Sequence, residues 1–225
     1  MQTSITDPAV TLTDYALAVE CATIVILLAR SEATDKELRY WFVVFFAAAA
    51  AASLLGGTVH GFFKNPAAAG HAVLWPATLL SILASGLAAW FAAARLQLSE
   101  PARGTAQRAA VAGTVLLAFV VVFVKQKFYV AIIGYLPATL FLLGAFVAAY
   151  NRRPARPIAW GIFGLSLTLI AAGIQRLGIA IHPRYFDHNA LYHVVQGVAL
   201  WMIFVAARYL STARPPIRRT DAVTT

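Results

Sequence analysis

The chain has 225 residues, of which 60% are hydrophobic and only 12% are charged, and its formal net charge is +9. This composition excludes an ordinary water-soluble domain, because a surface so poor in charge needs lipid rather than water as its main solvent. The positive charge would indicate nucleic-acid binding in a soluble protein, but here we expect basic side chains to lie beside anionic lipid headgroups, and we predict no nucleic-acid partner.

Seven apolar segments of the chain are each near the roughly 20 residues that cross about 30 Å of hydrocarbon. They cover residues 12–30, 40–63, 72–94, 108–124, 128–150, 158–181 and 190–210. The shortest polar break contains Lys125 and Lys127; a single helix through it would be about 60 Å long and would place both lysines at mid-membrane. The sequence therefore predicts an all-α integral membrane protein whose single domain, residues 1–211, is a seven-transmembrane helix bundle. Residues 212–225 are predicted to form a flexible cytoplasmic tail.

Lys and Arg residues divide unequally between the two sides of this predicted bundle. Thirteen of the 18 fall on one side, and the other side has Lys64, Lys125, Lys127, Arg176 and Arg184. By the positive-inside rule, the N-terminus is expected outside or in a lumen and the C-terminus in the cytoplasm. No basic segment precedes the first apolar run, so we expect a retained helix rather than a signal peptide. The predicted location is multi-pass, in a plasma membrane or a bacterial-type inner membrane.

The first span carries a carboxylate at membrane depth. A charged Glu20 is unfavourable there unless it is paired, and Arg176 near the outer end of the sixth span is its expected ion-pair partner. Alternatively, Arg176 could hold a lipid phosphate or a substrate carboxylate. The lone Cys21 excludes both an intramolecular disulfide and a metal site built from several thiolates.

All five histidines fall on the predicted non-cytoplasmic side of the bundle. They are His60, His71, His182, His188 and His193. Imidazole is the commonest metal ligand, and polar side chains at membrane depth are usually functional. One face of the second span presents small or polar residues at spacings of four, three and four, namely Ser53, Gly57, His60 and Lys64. That face predicts either a functional site or a tight helix contact with His60 hydrogen-bonded across it.

The seventh span opens with a second polar face. Asn189, His193 and Gln196 are spaced at four and three residues, so all three point into the bundle. His188 is rotated by about 140° from His193 and joins the same site only if the helix begins after it. Asp187 is either a helix N-cap or a catalytic carboxylate, and the pattern leaves both roles open.

This combination of spans and motifs resembles the CREST superfamily of membrane hydrolases, which includes alkaline ceramidases and adiponectin-receptor-type proteins. In that family a Ser-x-x-x-His on helix two and a His-x-x-x-His on helix seven hold zinc through three imidazoles, and an aspartate early in helix three assists. His60 corresponds to the helix-two histidine, and His193 to the second helix-seven histidine. Gly56 stands at the serine position, Asn189 at the first helix-seven histidine, and His71 in the region of the aspartate.

The resemblance implies a zinc-dependent hydrolase of lipid amides or esters, with its site beneath the non-cytoplasmic surface. Such a zinc ion needs three protein ligands and an open position for water. The candidate metal ligands are His60, His193 and His188, with His71 or Asp187 as alternatives for the third position. The candidate catalytic residues are Asp187, His71 and Glu20, and the candidate substrate contacts are Asn189, Gln196, Arg176 and Gln175.

Two other functions stay open at this point. A non-catalytic lipid-binding or sensor protein that has lost the metal site is favoured by Gly56 and Asn189, which stand where the family has functional side chains. A transporter or proton-conducting protein could use Glu20 and Arg176, although no inverted repeat is evident. For the hydrolase and the binding protein alike, the expected partner is a membrane lipid as substrate or ligand. The sequence does not determine the oligomeric state.

Overall fold

A computed structural model describes residues 5–183 and 185–212, and within them the chain forms seven α-helices. The helices are α1 (Pro8–Arg30), α2 (Lys36–Phe62), α3 (Ala69–Gln97), α4 (Glu100–Phe119), α5 (Phe128–Arg152), α6 (Arg156–Leu177) and α7 (His188–Thr212). A π-helical turn, Val120–Val124, extends α4. All seven are long and apolar enough to cross a membrane, and the fourth and fifth predicted spans are separate helices. The predicted tail beyond Thr212 lies outside the described residues.

Several helix ends differ from the apolar segments, because capping residues rather than hydropathy set them. α6 ends at Leu177, earlier than the predicted 181, because Gly178 adopts a left-handed φ of 69° that terminates the helix. α4 begins at Glu100, earlier than the predicted 108, with Pro101 in its first turn, where proline is favourable. The Asp35 side chain accepts a hydrogen bond from the backbone N–H of Leu38 at 3.0 Å and so caps α2.

Six of the helices form a closed ring in the order α1, α2, α3, α5, α6, α7, with α7 packed against α1. α4 lies outside this ring against α3 and α5, and only 6% of its most apolar stretch is buried. Consecutive helices alternate in direction. The turn before α2 therefore reaches the end of α7, where Thr34 N–H and Asp35 N–H both donate to the carbonyl oxygen of Ser211, at 2.9 and 3.0 Å.

The two halves of the bundle differ in how they are filled. The half nearer the C-terminus of α7 contains the large apolar core, whose buried side chains include Leu28, Leu38, Phe42, Phe45, Phe46, Leu142, Phe146, Ile158 and Ile203. The other half, which we call the histidine end, contains Asp14, His60 and His193. The apolar core therefore closes the interior at one end and leaves room at the other.

Small residues allow α6 and α7 to approach closely. An ideal Cβ on Gly164 would lie only 2.6 Å from the backbone carbonyl oxygen of Ala199. Because backbone atoms cannot rotate away as a side chain can, the two helices pack at this distance only if residue 164 has no side chain.

Replacing Gly164 with alanine is expected to force α6 away from α7 and to lower the free energy of unfolding by about 1–3 kcal/mol. Gly173→Ala is the matched control on the same helix, since a Cβ there meets no atom of the described residues within 4 Å. That control should leave stability unchanged or raise it by up to about 1 kcal/mol through helix propensity. Reversible unfolding in detergent micelles measures both, and equal losses of stability would contradict the packing described.

Candidate functional site

A cavity of about 290 Å³ lies inside the histidine end of the bundle, and we call it the central cavity. Its lining comes from all six helices of the ring and includes Asp14, Ser53, Gly56, His60, Trp75, Thr78, Phe128, Gln175, Asn189, Tyr192 and His193. The structure therefore brings His60, Gln175, Asn189 and His193 around one space. His71, Asp187 and His188 lie nearer the helix ends, and the cavity lining does not include them.

A polar contact between α1 and α7 dominates this cavity. His193 Nε2 lies 3.2 Å from Asp14 Oδ1, and His193 Nδ1 lies 3.2 Å from Thr13 Oγ1. Both members of the first pair are buried, with 4% of Asp14 and 8% of His193 exposed. Each nitrogen of the imidazole therefore faces a polar group of α1.

The hydrogen positions in this contact follow from the donors and acceptors present. The Thr13 hydroxyl donates to the backbone carbonyl oxygens of Ala9 and Val10, at 2.8 and 3.0 Å, so its oxygen accepts from His193 Nδ1–H. Nε2 and Asp14 Oδ1 then need one hydrogen between them, because two lone pairs would repel at 3.2 Å. With that hydrogen the buried pair has no net charge, which is the favourable state in a membrane interior.

Asp14 is the residue of this candidate site that the sequence analysis did not predict. α1 begins at Pro8 rather than at residue 12, so Asp14 lies about 9 Å along the helix from its start instead of at the rim. Two glycines of α2 make room for it, because an ideal Cβ on Gly57 would lie 2.8 Å from Asp14 Cβ, and one on Gly56 would lie 3.8 Å from Asp14 Oδ2. The signal available in the sequence was a carboxylate two residues inside a predicted span.

The indole ring of Trp75 contacts two more histidines, one inside the cavity and one outside it. Trp75 on α3 meets the His60 ring edge-on at 6.5 Å and stacks with the His71 ring at 6.0 Å. Its indole N–H donates to the carbonyl oxygen of Gln126 at 3.0 Å, and His71 Nδ1 donates to the carbonyl oxygen of Phe63 at 2.8 Å. His71 thus braces Trp75 from outside the cavity, while His60 faces inward.

The start of α7 is fixed by Asp187. Its Oδ1 accepts hydrogen bonds from the backbone N–H groups of Asn189 and Ala190 at 3.0 and 2.9 Å, so the N-cap role is confirmed. The Asn189 side-chain oxygen accepts from Gln175 Nε2 at 3.1 Å. α7 begins at His188, which is therefore helical rather than folded back toward His193.

The predicted ion pair between Glu20 and Arg176 does not form. Glu20 lies twelve residues after the start of α1, about 18 Å along the helix, whereas Arg176 is exposed at the end of α6. Because the two groups lie at different depths, the prediction is wrong. Glu20 instead lies against α7, where an ideal Cβ on Gly197 would be 2.8 Å from Glu20 Oε2.

A second, larger space lies on the outside of the ring between α1 and α7, and we call it the lateral groove. It measures about 650 Å³, and its lining includes Thr13, Ala16, Leu17, Glu20, Trp160, His193, Val194, Gly197, Val198, Trp201, Met202 and Val205. Val194 and Val198 are about half exposed, at 48% and 53%, so the groove opens on the outer surface of the bundle. Leu17 and His193 line both the groove and the central cavity.

A small inner chamber of about 100 Å³ continues from the central cavity toward the apolar core. The polar residues of its lining are Ser53, Ser85, Tyr135, Thr168, Gln175, Tyr192 and Gln196. Gln196 Nε2 donates to Thr168 Oγ1 at 3.3 Å, but Gln196 Oε1 is buried without a hydrogen-bond partner. A buried acceptor in this state is unfavourable, so it marks a position where a donor from a ligand or water would bind.

The side chains present do not fit the implied zinc ion as they stand. Among the described residues, no three His, Cys, Asp or Glu side chains lie close enough together to hold a metal ion. A tetrahedral zinc site also needs free imidazole nitrogens, whereas both nitrogens of His193 face partners on α1.

The Asp14–His193 contact predicts a non-additive effect on stability. Asp14→Ala or His193→Ala leaves its buried partner unpaired and should lower the free energy of unfolding by about 3–5 kcal/mol. The double variant should lose clearly less than the sum of the two single variants. Unfolding in detergent measures this coupling.

Asp187→Ala is the comparison variant, and it should lower stability by about 1 kcal/mol through loss of the cap. Its effect should add to that of Asp14→Ala within about 0.5 kcal/mol, because the two carboxylates share no partner. Additivity between Asp14→Ala and His193→Ala would mean that their contact is absent in the folded protein.

Nearly the whole helical region matches one known protein family. A family model described as "Family of unknown function (DUF6962)" matches residues 9–212, which include Asp14, His60 and His193. No curated protein and no solved structure matches the chain. Because the match extends from α1 to α7, the chain belongs to the DUF6962 family.

Proposed function

We propose that this protein binds a membrane lipid, with the polar headgroup in the central cavity and an apolar chain in the lateral groove. The observation that carries the proposal is the shared wall: Leu17 and His193 line both spaces, so one layer of side chains separates a polar pocket from a lipid-facing groove. An amphiphile needs this arrangement of a polar and an apolar compartment side by side.

The dimensions of the two spaces support this division. A volume of about 290 Å³ is small for a whole lipid and suits a headgroup. Along α7 the groove runs from His193 to Val205, twelve residues or about 18 Å, which is more than half of a hydrocarbon core of about 30 Å. The apolar core closes the interior beyond the inner chamber, which favours binding over conduction through the bundle.

The orientation in the membrane is part of the proposal. Among the described residues, ten Lys and Arg lie on the half of the bundle opposite the histidine end and four lie on the other half, so the half with ten is assigned to the cytoplasm. The N-terminus and the central cavity then face the non-cytoplasmic side of a plasma membrane or bacterial-type inner membrane. A headgroup would enter the cavity from the outer leaflet.

Filling the groove tests this function. Val198→Trp places a large ring in the groove and should reduce cross-linking of a photoactivatable fatty-chain lipid several-fold, because the chain loses its space. Val115→Trp on α4 is the matched control, since Val115 is also exposed, at 62%, but does not line the groove. Mass spectrometry of the cross-linked peptides measures both, and labelling should concentrate on α1 and α7.

Equal labelling of all helices, unchanged by Val198→Trp, would show that lipid contacts the groove only as bulk solvent. The binding proposal would then be wrong.

A second candidate is the metal-dependent hydrolysis of a lipid amide or ester, which the resemblance to the CREST superfamily implies. One observation favours it: Asp14, His60 and His193 line a single cavity and are donor types that zinc accepts. Asp14, rather than His188, would then supply the third donor, and the side chains would have to rearrange before they could hold a metal.

Metal analysis of purified protein separates the two functions. If the protein binds lipid without a metal, the unmutated protein should contain far less than one zinc per chain, even after purification in zinc-containing buffer. A hydrolase predicts about one zinc per chain, and its loss in both His60→Ala and His193→Ala. Stoichiometric zinc retained by the unmutated chain would replace the first proposal with the second.

A further inference from the structure

Two acceptor oxygens in the binding region have no donor among the described residues. Asp14 Oδ1 faces His193, but no described residue donates to Asp14 Oδ2, which lies on the side of Gly56. Gln196 Oε1 in the adjoining inner chamber is likewise unpartnered. Gln196 Oε1 is fully buried, and Asp14 as a residue is only 4% exposed, so little solvent is available to satisfy either oxygen. These two oxygens therefore lack donors, and a fitting ligand would supply them.

The charges around the site disfavour an anionic headgroup. The residues that line the central cavity and the inner chamber include neither Lys nor Arg. Lys64 at the rim pairs with Asp7 at 2.8 Å, and Arg176 is exposed at the end of α6. A phosphate or carboxylate in the cavity would meet Asp14 without a Lys or Arg to balance it.

The aromatic side chains of the cavity favour a cation. Trp75, Phe128 and Tyr192 line it, and the hydrogen bond to Gln126 together with the stacked His71 ring holds Trp75 in place. Aromatic faces attract ammonium groups, most strongly where water is excluded. An ammonium group also brings three N–H donors, and Asp14 Oδ2 and Gln196 Oε1 are acceptors for such donors.

We propose that the central cavity binds an organic ammonium group, seated between the Asp14 carboxylate and the face of Trp75. This proposal rests on the proposed function, because it names the headgroup of the lipid whose chain lies in the lateral groove. Charge balance is kept if the ammonium replaces the hydrogen that Asp14 and His193 share. That hydrogen leaves the pair as a proton and passes to water. His193 Nε2 then accepts one ammonium hydrogen, and Nδ1–H still donates to Thr13.

The test uses the full chain in maltoside micelles, which carry no ammonium group, and three probes with the same sixteen-carbon chain. Hexadecylamine should bind at least tenfold more tightly than hexadecanol or hexadecanoic acid, measured by competition with a photoactivatable long-chain amine. Asp14→Asn, which keeps the side-chain shape, should remove this preference. Asp7→Asn is the matched control, because Asp7 is a carboxylate at the rim, paired with Lys64.

A second variant guards against misfolding of Asp14→Asn. Trp75→Phe keeps an aromatic ring with a weaker attraction for cations, so it should weaken amine binding while leaving hexadecanol binding unchanged. Equal binding of the amine and the alcohol to the unmutated chain would overturn the ammonium proposal and leave lipid binding intact. Binding of none of the three probes would contradict both proposals.

Butylamine separates a lipid from a soluble amine. If the ligand is a lipid, butylamine should compete far more weakly than hexadecylamine, and Val198→Trp should abolish that difference. If butylamine competes equally well, the ammonium site stands but its ligand is a soluble amine, and the groove has no part in recognition.

Discussion

The contact between Asp14 and His193 is the constraint on which the histidine end of this bundle depends. A carboxyl group and an imidazole lie 3.2 Å apart in an interior that offers little water. Either group alone would be strongly unfavourable at that depth, so each makes the other possible. Because the two residues belong to α1 and α7, the contact also holds together the first and last helices of the ring.

That position gives the pair a second role, as part of the wall between two compartments. On one side lies a cavity with polar and aromatic walls, and on the other a groove whose lining is mostly apolar and open to the membrane. The groove runs along α7 from His193 to Val205 and passes Glu20 of α1. The cavity ends at the core of phenylalanine and leucine side chains. The described residues thus place a polar cavity beside an apolar groove, and the apolar core closes the interior beyond the cavity.

The amino-acid sequence is sufficient to predict the seven helices, because twenty apolar residues in succession have few alternatives to spanning a membrane. It also places His60, Asn189, Gln175 and His193 around the same space, since their spacing and position in the spans determine face and depth. Glu20 and Arg176 fail as a pair because opposite charge alone indicates neither depth nor adjacency, and α7 lies between α1 and α6 in the ring. Asp14 was missed because hydropathy begins the first span after the helix has started at Pro8.

The contact itself can be measured directly. Solid-state NMR of the protein in lipid bilayers, with labelled aspartate and histidine, reports the distance between the Asp14 carboxyl group and the imidazole nitrogens of His193. A separation that matches hydrogen bonding, as in the 3.2 Å contact between Oδ1 and Nε2, is the expected result. Rings that point apart, with the carboxylate and imidazole beyond the reach of even a bridging water, would contradict the shared wall and the binding site built on it.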